Sequence, residues 1–274
     1  FIHRPPVDAN TTQLYDGQHP AQQRLAFEEL LAHHISMLKI RQRIQQHTAP
    51  ALPRLEQLER SFIESLPFSL TQAQQRTISE ISQDLEQPFP MLRLLQGDVG
   101  AGKTVVAAMA VLQALENKRQ AAIMAPTEIL AEQHYQTFDS WLKPLGIQVG
   151  LLTGKTKGKA RERQLQQIDD GSIGLVVGTH ALFQNDVHFS DLALTVIDEQ
   201  HRFGVNQRLA LRNKGPDNTT PHQLIMTATP IPRTLAMSAY ADLDCSIIDE
   251  LPPARTPVNT VLIDQQRRQQ VIER

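Results

Sequence analysis

Residues 91–115 read MLRLLQGDVGAGKTVVAAMAVLQAL: a strand-length apolar run, a glycine loop and a helix-length apolar run. Gly97, four residues, then Gly102, Lys103 and Thr104 match G-x-x-x-x-G-K-[ST] in the strand–loop–helix setting that the pattern requires. The chemistry follows from the residue types. Gly97, Gly100 and Gly102 carry no Cβ, so the backbone can wrap closely around phosphates. Successive N–H groups and a helix N-terminus then face the anion. Lys103 neutralises β- and γ-phosphate charge, and the Thr104 hydroxyl is a ligand for Mg²⁺. The loop Gly97, Asp98, Gly100, Ala101, Gly102, Lys103, Thr104 and Val105 is therefore the candidate ATP-binding site.

Outward from this loop the texture alternates. Apolar runs at 91–95, 121–125, 147–152, 173–177, 192–197 and 223–227 are strand-length, and 103–116, 128–142 and 159–169 are helix-length. Strands alternating with helices predict an α/β fold, a parallel sheet with helices on both faces. Before it, Phe27, Leu30, Leu31, Ile35 and Leu38 follow helical spacing, Pro50 and Pro53 interrupt, and Leu55, Leu58, Phe62 and Leu66 suggest a shorter helix. Residues 241–250, ADLDCSIIDE, carry four acids and no base, and LPPARTP at 251–257 reads as a linker. The expected organisation is a helical connector over 1–66, an ATP-binding lobe over 67–250 and a linker over 251–274. Phe1 in place of Met suggests a piece of a longer protein.

Composition narrows the classes. The 274 residues are 41% hydrophobic and 20% charged, which allows a sizeable core and argues against wholesale disorder. Lys plus Arg is 27 and Asp plus Glu is 29, a formal charge of −2, so a globally basic nucleic-acid binder is excluded while local basic patches are not. One cysteine, Cys245, excludes an internal disulfide framework and a cysteine-rich zinc site. The longest apolar run, Val105 to Leu112, is far short of the ~18 residues of a membrane span, and no leader pattern opens the chain. The expectation is a cytoplasmic protein without a membrane partner.

A second signal lies at LALTVIDEQHRFG. Leu192 to Ile197 reads as a buried strand, with Asp198 and Glu199 at its carboxyl end, the edge where open parallel sheets bind ligands. Transfer of a phosphoryl group to water needs a carboxylate on Mg²⁺, which suits Asp198, and a group that orients the water, which suits Glu199. With Lys103 they form the candidate catalytic set.

GDVGAGKT (97–104), DEQH (198–201) and TATPIPR (227–233), in this order, resemble motifs I, II and III of superfamily-two helicase motors. APTEILAEQH (125–134) is similar to motif Ia and VGTHALFQ (177–184) to motif Ib. DEQHRFGV at 198–205 and MTATPIPRTLAMSAYADLD at 226–244 narrow the resemblance to the RecG family of bacterial ATP-dependent DNA helicases, which remodel stalled forks and migrate branches. The transcription–repair coupling motor is a close relative, and Gln200 favours the RecG family over it.

The resemblance covers essentially the whole chain and implies a RecA-like P-loop lobe. It also implies forked or branched DNA as partner, with a wedge domain and a second RecA-like lobe, carrying the arginine finger, elsewhere in the same protein. A bacterial, nucleoid-associated location and a monomeric fragment go with it.

The resemblance assigns further residues. Gln74 would read the adenine edge, with Phe68 as stacking partner, although Thr71 and Gln74 also fit a capping box, T-x-x-Q, opening a helix with Ile78, Ile81 and Leu85 inward. Pro126, Thr127 and Gln133 would contact DNA, as would Gly178, Thr179 and His180; plain α/β turns are the bland reading of both strand ends. Glu128 suits helix capping rather than phosphate. TGKTKGKARER (153–163) holds five Lys or Arg and one Glu, and its family position makes Lys155, Lys157, Lys159 and Arg161 candidate phosphate contacts rather than solvated surface. Gln200, His201, Thr227, Ala228, Thr229 and Arg233 would couple the nucleotide site to the second lobe. No base-reading set is evident, so binding should be independent of sequence and sensitive to salt. The rivals are another nucleic-acid motor, a nucleotide-binding module without turnover, and a P-loop ATPase unrelated to nucleic acid.

Overall fold

The computed structural model describes residues 4, 6, 7, 11–199, 214–216, 219–229, 243–252 and 261–272. Seven strands form one parallel sheet: β1 Leu92–Gly97, β2 Gln120–Met124, β3 Val149–Leu152, β4 Leu175–Gly178, β5 Leu192–Asp198, β6 His222–Thr227 and β7 Asp244–Ile248. Their order is β3-β4-β2-β5-β6-β1-β7. The first six strands occupy the predicted apolar runs. The seventh does not: it lies in the acidic stretch 241–250, where the sequence suggested no strand.

Alternation along each strand builds two cores. Leu95, Ile123, Val177, Val196 and Met226 join one buried cluster, and their neighbours Leu94, Ala122, Val176, Ile197 and Ile225 join the other. The first face is covered by α3 Gln57–Ser65, α4 Gln72–Leu85, α5 Lys103–Glu116 and α6 Glu128–Leu142, through Phe62, Ile81, Val106 and Phe138. The second is covered by α7 Gly158–Asp169, through Ile168, and by the turn His180–Phe183, through Leu182. Both faces are thus closed by helices, as the alternating runs predicted.

The lead-in contains α1 Thr11–Tyr15 and the long α2 Pro20–Gln45. The helical spacing of Phe27, Leu30, Leu31, Ile35 and Leu38 was legible, yet all five remain exposed, so here the apolar period marks a helix but not a buried face. Arg41 near its end pairs with Asp244 of β7 at 3.2 Å.

Residues 48–53 are laced to the sheet. Thr220 N–H donates to the Thr48 carbonyl (2.8 Å), Ala49 N–H to Pro88 (3.0 Å) and Leu52 N–H to Leu85 (2.8 Å). The Gln113 amide donates to the Leu52 carbonyl at 2.7 Å. Phe62 of α3 meets Trp141 of α6 edge-on, ring centroids 5.5 Å apart.

His222 completes this seam. It is fully buried; its Nδ1 accepts from Met91 N–H (3.0 Å), and its Nε2 donates to the Pro50 carbonyl (2.8 Å). The acceptor role of Nδ1 requires a neutral ring. Burial depresses the pKa to about 4. The folded-state value lies below the unfolded value, so stability is intact near pH 7 and is lost as pH falls from about 6.5 through about 4. His222 alone should cost about 2 kcal/mol between pH 7 and pH 5. Urea unfolding of the chain is expected to show this extra acid slope. The His222→Gln variant, less stable at pH 7, should lack it.

Candidate functional site

The carboxyl ends of β1, β5 and β6 lie side by side. Asp198 is in register with Met226, and Thr227 with Gln96. This brings the glycine loop, the acid pair and the Thr227–Thr229 turn to one sheet edge, from stretches some 30 to 130 residues apart in the chain.

The loop has the backbone that its glycines predicted. Gly100 and Gly102 hold φ +82° and +86°, in the left-handed region. A Cβ at Gly102 would run into the Gln74 amide. Val99 N–H donates to the Asp98 carboxylate at 2.8 Å, which fixes the turn. Lys103 opens α5, and its Nζ donates to the carbonyls of Gly97 (2.7 Å) and Asp98 (3.1 Å). Burial pushes the Lys103 ammonium below its ordinary pKa, while Asp198, Glu199 and Asp98 pull the other way. The lysine therefore shares its surroundings with the acid pair. Ala101 and Val105 are buried in the core, anchoring the loop, and Thr104 is half-buried at the first turn of α5.

Asp198 and Glu199 differ in setting. Asp198 ends β5, and its Oδ2 meets His134 Nε2 of α6 at 2.8 Å. Glu199 follows in a left-handed conformation, φ +51°, which a non-glycine residue holds only at a cost. Its backbone N–H donates to Met226 (2.9 Å). Its carboxylate accepts from Ala228 N–H (3.2 Å) and the Thr227 hydroxyl (3.4 Å). Thr229 N–H donates to Thr227 Oγ1 at 3.1 Å. The acid pair and the Thr227–Thr229 turn are thus joined directly. Gln200, His201 and Arg233 lie outside the described residues.

Gln74 is buried and both the oxygen and the nitrogen of its amide are engaged. Oε1 accepts from Thr71 N–H (2.9 Å), and Thr71 Oγ1 accepts from Gln74 N–H (3.2 Å): the capping box is formed. Nε2 donates to the Ala101 carbonyl at 2.8 Å, tying the helix cap to the phosphate loop. Phe68 is 47% exposed and lines a cavity of about 650 Å³ with Ile63, Leu66 and Gln75, and Gln74 is not among its lining residues.

The other strand ends have local roles too. Thr127 caps α6, its Oγ1 accepting from Leu130 N–H (3.3 Å), and Glu128 in the first turn pairs with Lys155 at 3.1 Å. Pro126 is half-buried, and Gln133 is exposed. Gly178 has a packing reason: a Cβ there would collide with the Leu152 carbonyl and lie 2.9 Å from Leu182 Cγ. Thr179 is buried and His180 exposed. In the basic stretch 153–163, Lys157 and Lys159 are exposed at the start of α7, whereas Arg161, further along the same helix, pairs with Asp186 (2.9 Å).

The profile of the DEAD/DEAH box helicase family matches residues 71–238, more than half of the chain. The chain belongs to the DEAD/DEAH box helicase family. A domain of this family binds nucleotide. Among curated relatives, the ATP-dependent DNA helicase RecG of Pasteurella multocida is 61% identical over 275 aligned residues, covering all of this chain and 40% of that protein. RecG of Escherichia coli K12 is 57% identical, with the same coverage. A solved structure of RecG bound to a three-way DNA junction superposes with TM-score 0.81 and 44% identity, over 92% of this chain and 33% of that one. The resemblance to RecG read from the motifs therefore holds across the chain, which spans about two fifths of the curated relatives' length.

Three contributors to the site escaped sequence reading. His134 sits inside the motif Ia stretch with no local sign of a partner 64 residues away. Ile248 of β7 packs against Gly97, where a Cβ would lie 3.2 Å from its own, and Glu250 accepts from Ala73 N–H (3.0 Å) at the start of α4.

The two roles of the Gln74 amide can be separated. Gln74→Glu retains an acceptor for Thr71 but turns a second acceptor toward the Ala101 carbonyl. It is expected to lose about 1–3 kcal/mol in urea unfolding and to weaken nucleotide binding.

Proposed function

We propose that this chain is the ATP-binding first motor lobe of a DNA helicase that remodels forked and branched DNA in repair and recombination. The observation that carries this reading is the convergence of Lys103, Asp198, Glu199 and Thr227 on one edge of a DEAD/DEAH helicase sheet. Identity of 61% to a RecG helicase supports the substrate class. No helix among the described residues is long and apolar enough to cross a membrane. A location in the bacterial cytoplasm, at the nucleoid, follows from the proposed work on DNA.

Mg²⁺ fits the donor set. The Thr104 hydroxyl and the Asp198 carboxylate are hard oxygen ligands, and two protein ligands plus phosphate oxygens suit this cation. When bound it would neutralise charge on the phosphates. Lys103 exchanges its loop carbonyls for β- and γ-phosphate oxygens of ATP. Glu199, held by Thr227 and Ala228, orients the attacking water in line with the γ-phosphate. The same two bonds give Glu199 a route to the second lobe: a shift at Thr227–Thr229 moves the carboxylate. That lobe supplies the arginine finger, and a wedge domain supplies the fork preference. For adenine, the cavity beside Phe68 is the proposed contact region, with Gln74 supporting the loop.

DNA would run past the N-terminus of α6 and the basic loop, with Pro126, Thr127, Gln133 and the strand end Gly178–His180 on its path. Of the basic residues, Lys157 and Lys159 are expected to contribute most, because Lys155 and Arg161 already have carboxylate partners. Alanine at Lys157 or Lys159 should each lower the salt slope of DNA binding by about 1, and alanine at Lys155 by less.

The first test is ATP binding and turnover by the chain alone, with and without forked DNA, beside Lys103→Ala. Binding is expected to fall at least tenfold in the variant, about 1.4 kcal/mol or more, with turnover of the chain alone near background. Lys103→Ala binding as tightly as the unmodified chain would refute the nucleotide-site reading. Stimulation by duplex RNA rather than forked DNA would refute the substrate.

A further inference from the structure

His134 lies on the inward stripe of α6, three residues after Ala131 and four before Phe138, both buried. A polar ring on that stripe needs a partner. It finds one across the sheet edge: Nε2 stands 2.8 Å from Oδ2 of Asp198, with both side chains only 13–14% exposed. A carboxylate only accepts, so Nε2 is the donor, whatever the charge of the ring.

This contact joins two parts of the site that the sequence keeps apart. β5 ends in Asp198; its neighbour β2 runs in register with it, Met124 beside Ile197, and leads through Pro126 and Thr127 into α6. The capped N-terminus of α6 carries Thr127, and Glu128 and Glu132 on its first turns hold Lys155 of the basic loop at 3.1 and 3.6 Å. One helix thus touches the basic loop at its start and the acid pair two turns later.

Resting on the function proposed above, we infer that His134 is a positioning residue. It holds Asp198 so that Oδ1, which takes no hydrogen bond among the described residues, presents to the metal. It also makes α6 the rigid link between the nucleic-acid side and the nucleotide side. A carboxylate that binds a cation through one oxygen is oriented by a donor on the other. With the donor removed, the carboxylate would rotate and the metal would be held less well.

The test uses the whole protein with both motor lobes and a fluorescent N-methylanthraniloyl ATP analogue. Binding is measured in EDTA and across a Mg²⁺ titration, with and without forked DNA, alongside melting temperature. His134→Ala is expected to match the unmodified protein in EDTA, to need about tenfold more Mg²⁺ for half the binding gain, and to lose most of the effect of DNA on nucleotide affinity. His134→Gln keeps an amide N–H at similar reach and should recover most of both effects. A Mg²⁺ response unchanged in His134→Ala would overturn the inference. So would a Gln variant as defective as Ala, with lowered melting temperature, because the ring would then be structural only. Lys103→Ala separates the failures. If it loses binding while His134→Ala behaves as unmodified protein, only this inference falls. If Lys103→Ala binds normally, the nucleotide-site reading falls and this one with it.

Discussion

Everything at the site depends on three parallel strands ending together. β1 and β5 are separated by β6 alone, so the phosphate loop and the acid pair stand two strand spacings apart, roughly 10 Å. That gap suits a group of phosphates with a cation between them. The middle strand is part of the arrangement, since its exit through Thr227 and Ala228 supplies the donors to Glu199. An antiparallel β6 would turn that exit to the opposite edge. The all-parallel sheet, covered on both faces, is what gathers the three turns in one place.

The loop is also held from behind. The Gln74 amide bonds Ala101, and Ile248 closes on Gly97. Arg76 pairs with Asp249 at 2.8 Å, and Glu250 bonds the first turn of α4. Arg93, nearly buried in β1, reaches Asp84 of α4 at 2.7 Å and donates to Ser246 of β7 at 2.8 Å. The glycine loop is thus pinned from α4 and from β7. This is how a stretch rich in glycine, which loses much entropy on ordering, keeps one shape.

The parts of this fold that were legible are those fixed by local physics. The helices predicted over 103–116 and 128–142 run Lys103–Glu116 and Glu128–Leu142, because glycine and threonine caps and the apolar period set their ends. Asp198 was placed by the apolar strand before it. Long-range chemistry was not legible. The acids of 241–250 suggested no strand, but Asp244, Asp249 and Glu250 find partners on α2 and α4, some 170 to 200 residues earlier. No pattern in the stretch DCSII announces an edge strand whose charges are neutralised from afar. His134 reads as one more polar residue on a helix. Conversely, the apolar period of α2 marked a helix whose apolar residues stay exposed. Periodicity reports a helix; only tertiary contact reports what its face meets.

Gly178 illustrates what such close packing means for evolution. It meets the Leu152 carbonyl so closely that no side chain fits between strands β3 and β4. Selection for a folded sheet is therefore enough to keep glycine at 178, whatever passes over that strand end. Invariance at this position across relatives would record a backbone spacing. A survey that ranks nucleic-acid contacts by invariance would choose this residue ahead of Lys157 and Lys159, whose exposed side chains are free to drift.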